Sequence, residues 1–120
     1  MSEYRPDRWC VVKISQVKVI NGLPQVAESH YRVFASWSGG YLDSDRWKLN
    51  SGITRVEEEG DYLLFSGSSG SVYKCRKTAY GYTGYGIGVL TNLIESHRKD
   101  GVVIEELKEG VDFLTLDYGN

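Results

Sequence analysis

The apolar positions of this chain change rhythm several times, and each change marks an element. In "VVKISQVKVINGLPQVAESHYRVFASW" two β-branched runs flank Asn21-Gly22, a pair that readily takes positive φ at both centres of a type I′ turn. The pattern predicts one long hairpin with arms at 8–20 and 24–37. In the second arm Ala27, Tyr31, Val33, Ala35 and Trp37 share a face, while Glu28, His30, Arg32 and Ser36 take the other. The first arm changes phase: Cys10, Val12 and Ile14 agree, then Val17 and Val19 adopt the opposite parity. A bulge near Ser15-Gln16 accounts for that slip, and so does a strand covered on both faces.

Beyond Gly52 the run "SGITRVEEEGDYLLFSGSSGSVYKCRK" divides into strands at about 53–57, 61–66 and 71–77, separated by Glu59-Gly60 and "SGSSG". This is a three-stranded meander, with Glu57, Glu58 and Glu59 as a solvated cluster at its first corner. The period then lengthens. "YGIGVLTNLIESHRKDG" places Ile87, Leu90, Ile94 and His97 on one side with Val89 and Leu93 beside them, an amphipathic helix at about 86–98. Arg98 and Lys99 suit its negative end and Gly101 is placed to stop it. Two C-terminal strands are expected in "VVIEELKEGVDFLTLDYGN", the second through Phe113, Leu114 and Leu116. The expected fold is α+β: a curved antiparallel sheet of about six to seven strands with one helix across it, in a single domain over 1–120.

Composition narrows the function classes. Apolar residues at 41% and charged residues at 25% describe an ordinary globular chain, and a formal charge of −2 argues against a generic nucleic-acid or acidic-membrane binder. The basic clusters, Lys74-Arg76-Lys77 and Arg98-Lys99, are short. Cys10 and Cys75 lie in strand-like runs and read as buried thiols. The opening "MSEYRPDRWC" has no apolar signal core and no run approaches a membrane span, so a cytoplasmic location is expected. Fourteen glycines, nine tyrosines and three tryptophans suit tight turns between aromatic strands.

Catalysis finds little support. His30 and His97 are the only imidazoles, and His97 sits on the apolar face of the helix, where a half-buried histidine is expected. A pair of Cys75 with either histidine has no local support, and "GSSGS" lacks the spacing of a nucleophile elbow. "DSDRWKLNSG" begins like a calcium loop at Asp43 and Asp45, but Lys48 stands where glycine is needed and Thr54 where glutamate is needed. Two cysteines and two histidines at these spacings match no zinc pattern. No metal and no cofactor is expected. "YGYTGYGIG" runs into the helix, whose first amides are natural anion hosts, yet it matches neither a Walker A loop nor a dinucleotide fingerprint.

The segment "SWSGGYLDSDRWKLNSG", residues 36–52, is richest in recognition chemistry. Trp37 continues the inward face of its strand. Tyr41 and Trp47 could supply stacking faces, with Arg46, Lys48, Asn50 and Ser51 as donors, an economy suited to a nucleotide, a base or a peptide surface. Tyr82 and Tyr85 of the glycine-tyrosine loop complete the candidate ligand site. The competing structural reading has Trp47 and Leu49 plugging a sheet end while Asp43, Asp45, Arg46 and Asn50 cap and pair locally.

The runs "YRVFASWSGGYLDSDRWKLNSGI", "LLFSGSSGSVYKC" and "YGYTGYGIGVLTNLIE" resemble small proteins of tailed-phage (bacteriophage) genomes. The resemblance carries no functional residue; what it implies is context. Small acidic phage proteins often inhibit a host defence enzyme or sequester a nucleotide signal, working by occupancy. The expectation is therefore a non-catalytic binding protein of the host cytoplasm, an anti-defence inhibitor or nucleotide-signal sponge. Its partners would be a host defence protein or a nucleotide-type small molecule, and a homo-oligomer is plausible because long hairpins leave open edges. The alternative is a single-strand nucleic-acid module presenting Tyr and Trp beside Lys74, Arg76 and Lys77.

Overall fold

A computed structural model describes residues 3–39 and 44–119. The architecture is α+β, as the periodicities predict, but the strands form two sheets in place of one. The elements are β1 (Glu3–Tyr4), β2 (Arg8–Ile20), β3 (Leu23–Trp37), β4 (Arg46–Leu49), β5 (Ile53–Glu59), β6 (Tyr62–Gly67), β7 (Val72–Arg76), a 3₁₀ turn (Lys77–Ala79), α1 (Gly84–Arg98) and β8 (Val102–Glu106). The first sheet has the order β1-β7-β6-β5 and the second β4-β3-β2-β8. All pairings within them are antiparallel except β1 with β7.

The division into two sheets follows from how β2 and β3 are covered. Trp9, Val11, Val33 and Ala35 face the first sheet and meet Ile53, Leu63, Phe65, Tyr73 and Cys75 in the larger core. Cys10, Val12 and Phe34 face the other way and pack with Leu90 of α1 and Ile104 of β8. The base of the hairpin is thus the middle layer of three, apolar on both faces, which is why strict alternation is lost there. Trp9 knits the larger core together. Its ring lies 4.8 Å from Tyr80, 5.3 Å from Phe65 and 5.5 Å from Phe113, and its indole N–H donates to the Arg76 carbonyl at 2.7 Å.

The hairpin turn is the expected one, with Asn21 at φ 54° and Gly22 at φ 78°. The bulge exists, at Gln16/Val17, but the extra residue sits in the opposite arm: Gln16 faces Glu28, Val17 faces Val26, and Ala27 is left over. β2 itself runs without a slip. Its apolar side chains change face because they leave the helix-covered side and continue on the core side.

Helix α1 starts two residues earlier than the expected 86, because Thr83 is the N-cap and its Oγ1 accepts from the Gly86 N–H at 3.0 Å. Gly86 and Leu90 are its buried residues; Ile87 and His97, assigned to the inner face from the sequence, are exposed. Gly86 brings the helix close to β3, which rotates the buried stripe toward 86, 90, 93 and 94. The second C-terminal strand does not form. Asp112 turns the chain instead, its Oδ1 accepting from the Leu114 N–H (3.1 Å) and its carbonyl from the Thr115 N–H (3.3 Å), so that Phe113 plugs the core. No helix among the described residues is long and apolar enough to cross a membrane.

Candidate functional site

β4 is a four-residue edge strand paired to the end of β3, with Arg46 opposite Trp37, Trp47 opposite Ser36, Lys48 opposite Ala35 and Leu49 opposite Phe34. Side chains alternate along it, so Arg46 and Lys48 leave on the core side of the sheet and Trp47 on the helix side. The Arg46 guanidinium lies 5.2 Å over the Trp37 ring, and the Lys48 ammonium 5.0 Å over the Tyr4 ring of β1. The Trp47 ring stacks on Phe34 at 5.9 Å and 20°, and is 38% exposed.

The chain from β1 to β2 crosses this region as a strap. The Trp37 indole N–H donates to the Arg5 carbonyl (2.9 Å), the Asp7 N–H to the Ser36 carbonyl (3.1 Å), and the Ser38 N–H to Asp7 Oδ2 (2.8 Å). On one side of the strap is a cleft of about 490 Å³ lined by Glu3, Tyr4, Arg5, Trp37, Arg46, Trp47 and Lys48. On the other is a cleft of about 410 Å³ lined by Arg5, Pro6, Asp7, Tyr62, Lys74, Arg76 and Ala79. In the second cleft Lys74 and Arg76 stand 4.8 and 5.5 Å from the Tyr62 ring, and Arg76 donates to the Tyr62 hydroxyl at 3.1 Å.

Charge is concentrated here. The two clefts hold five cations (Arg5, Arg46, Lys48, Lys74, Arg76) against two carboxylates (Glu3, Asp7), a surplus of three on a chain of formal charge −2. The remaining surface therefore carries −5. Arg5 pairs with Glu3 at 3.0 Å and Lys74 with Glu59 at 3.4 Å; among the described residues Arg46 and Lys48 have no carboxylate partner. Resting a cation on a ring is worth about 0.5–1 kcal/mol at an exposed site and leaves its outward N–H groups open to an anion.

The residues singled out from the sequence fare differently. Tyr41 lies outside the described residues. Arg46 and Lys48 come together in the first cleft, while Trp47 borders it with its ring directed elsewhere. Asn50 is not a ligand donor. It is 2% exposed, its Oδ1 accepts from the Val33 N–H at 2.8 Å, and its own N–H donates to the Val33 carbonyl at 3.0 Å, so the residue extends the β4–β3 ladder past the end of the strand. Ser51 is also committed. Its Oγ accepts from the Ser69 N–H (2.9 Å) and meets Ser69 Oγ (3.1 Å), while its carbonyl accepts from Ser68 Oγ (3.1 Å), which pins the "SGSSG" turn.

Tyr82 and Tyr85 line neither cleft. Tyr82 packs against the helix-side core and Tyr85 is exposed on the first turn of α1. Three donors at that helix start are occupied: the Thr83 N–H donates to Ser36 Oγ (3.1 Å), the Gly86 N–H to Thr83 Oγ1 (3.0 Å) and the Ile87 N–H to the Thr83 carbonyl (3.0 Å). Sequence reasoning missed Tyr4 and Arg5, brought in by the parallel β1–β7 pairing, and it assigned Trp37 to the core alone. Tyr62 was findable, because it faces Arg76 across the β6–β7 hairpin whose register the turn fixes.

The titratable groups away from the clefts show structural perturbations. Burial holds the Cys10 and Cys75 thiols protonated, with the Glu106 charge adding to the effect at Cys10. Burial pushes Tyr73 up to about 12. The Tyr80 hydroxyl, also raised by burial, donates to the Leu107 carbonyl at 2.5 Å and accepts from the Val11 N–H at 3.2 Å. His30 is lowered by burial and by Arg32, whose Nε donates to His30 Nε2 at 2.9 Å. Among the described residues no group of three or more His, Cys, Asp or Glu is placed to hold a metal ion.

No protein-family model, curated protein or solved structure matches this chain.

Proposed function

We propose that this is a non-catalytic binding protein whose first cleft takes a nucleotide-type ligand, with phosphate on Arg46 and Lys48 and a planar group against the Tyr4–Trp37 wall. The observation that carries the reading is the pair of ring-braced cations that have no carboxylate partner among the described residues, set in a positive region of an otherwise acidic chain. A cleft of about 490 Å³ is within the range of small-molecule sites. The inert buried thiols favour occupancy over covalent chemistry. The phage-like sequence adds the setting: an anti-defence inhibitor or signal sponge working in the host cytoplasm.

Thermal melts against a panel of nucleotides, including cyclic and ADP-ribose species, test the reading. A ligand that binds only the folded chain raises the melting temperature with concentration, adding about 2.7 kcal/mol at one hundred times Kd. The Arg46→Ala/Lys48→Ala variant is expected to abolish the shift. A panel that leaves the melt unmoved at millimolar concentration overturns the proposal.

A further inference from the structure

Resting on the nucleotide reading above, we infer that the ligand is phosphodiester-linked and lies across the strap, with one nucleotide unit in each cleft and Arg5 at the crossing. Arg5 is common to both clefts. Its ion pair with Glu3 is two residues away in sequence and exposed, with 65% and 44% of the side chains open to solvent. Such a pair is worth about 0–1 kcal/mol and is readily exchanged for a phosphate.

The strap is a fixed divider. Pro6 in it is buried and has no N–H, and the residues on either side are hydrogen-bonded to the end of β3 and to Trp37. The two clefts are therefore neighbouring compartments on a rigid frame. Each contains the same kit of a ring with a cation braced on it: Arg46 on Trp37 in one, Lys74 and Arg76 on Tyr62 in the other. A kit that repeats across a shared arginine fits a ligand whose chemistry also repeats. A single nucleotide in the first cleft leaves Lys74, Arg76 and Tyr62 without a role, and the surplus of three positive charges matches more than one phosphate. Cleft volumes of about 490 and 410 Å³ accommodate one unit apiece.

Two sources share this chemistry, a single strand of nucleic acid and a cyclic dinucleotide. Affinities of the full chain for a mononucleotide, a linear dinucleotide, a four-nucleotide strand and a cyclic dinucleotide, measured by calorimetry at fixed salt, separate them. The linked ligands are expected to bind at least about tenfold more tightly than the mononucleotide, because the second unit binds intramolecularly. Arg76→Ala should collapse that ratio toward one and lower the salt slope by about one, and Arg76→Lys should restore most of the ratio. Melts of the unliganded variants establish that they fold. Preference for the linear or the cyclic form then assigns the source. Equal affinity for linked and single nucleotides, or a ratio indifferent to Arg76→Ala, overturns the two-cleft inference and leaves the single-cleft reading standing. Absence of binding by every nucleotide sinks both.

Discussion

Replacing Asn50 by alanine separates a structural role from a ligand role at one position. The Asn50 side chain is 2% exposed and accepts from the Val33 N–H at 2.8 Å, a donor that points away from β2 at the buried end of the β3 ladder. Alanine leaves that donor buried and unpaired, at a cost of about 1–3 kcal/mol. The backbone bond from the Asn50 N–H to the Val33 carbonyl survives, so the loss is local. For a chain of this length each kcal/mol moves the midpoint by about 3–6 °C, so the melt should fall by roughly 3–18 °C. Asn50→Asp refines the argument. A carboxylate keeps the acceptor for Val33 and removes the Asn50 Nδ2 donor, which is buried without a partner among the described residues. It also buries a charge, so its pKa rises in the folded state. Folded chain then holds the proton longer than unfolded chain, and the variant's stability falls as pH rises through the unfolded carboxyl value near ~4. Differential scanning calorimetry from pH 4 to 8 reads both variants. An Asn50→Ala protein that melts within about 2 °C of the parent refutes the ladder-extension role. Normal melting with lost ligand affinity would return Asn50 to the binding site.

Two further predictions rest on packing and on proton linkage. Gly86→Ala is expected to destabilise by about 1–3 kcal/mol in urea titrations, since the added Cβ would stand 3.0 Å from Ser36 Cβ and Oγ and 3.2 Å from Thr83 Oγ1; Gly88→Ala, with nothing within 4 Å, should be neutral or stabilising. His30 has a lowered pKa, so the unfolded chain takes up its proton first, and stability should fall as pH drops below about 6.5 and level off below the folded value. Glu106 has a raised pKa and contributes the opposite slope above about 4.5, so the difference between parent and His30→Gln melts isolates the histidine; a difference that does not vary between pH 7 and 5 contradicts the assignment.

Local chemistry was legible in the sequence and layering was not. Asn21-Gly22 announces its turn through positive φ, and the meander declares itself through glycine corners at Gly60 and Gly70, both at positive φ. The change of phase at Val17 was visible too. Its cause was hidden, because a strand that moves its apolar residues from one covered face to the other leaves the same trace as a bulge. The bulge left by Ala27 sits in the other arm. Two sheets could not be told from one curved sheet, since Trp9 to Val12 are buried on both sides and carry no alternation that assigns them. Nor could the parallel β1–β7 pairing, made by two residues sixty-nine positions from their partners.

The candidate site shows the same division. Clustering in sequence singled out Arg46 and Lys48, which share the first cleft, and Trp47, which lines it while stacking its ring on Phe34 on the other face of the strand. Once β4 pairs with β3, adjacent residues part company. Asn50 and Ser51 looked like spare donors because their acceptors and donors, Val33 and the Ser68-Ser69 turn, are remote in sequence. Conversely, Lys74 and Arg76 entered only the alternative nucleic-acid reading, as part of a short basic run beside unspecified Tyr and Trp side chains. They gain meaning only when the β6–β7 register sets Tyr62 beside them and the strap sets Arg5 across from them.

The far half of the hairpin extends the argument about faces. Residues 18–29 are all exposed, beyond the reach of α1 and of the first sheet. Val17 and Val19 keep the parity of Trp9 and Val11 on β2. On β3 that face belongs to Tyr31, Val33 and Ala35, and without the extra residue at Ala27 its continuation would be Leu23 and Gln25. The bulge shifts the register so that Val26 stands opposite Val17 and Pro24 opposite Val19. Four apolar residues then share one face of the arm, with Lys18, Gln25 and the exposed pair of Ile20 and Leu23 on the other. Pro24 has no N–H to give the ladder, so its backbone is turned to the open edge, where proline and a bulge together blunt pairing by a further strand. The β3 edge of the arm is thus blunted, while exposed apolar side chains stand on both of its faces. Val19 at 73% and Val26 at 63% exposure are the surface from which contact would release free energy, at about 25 cal/mol per Å².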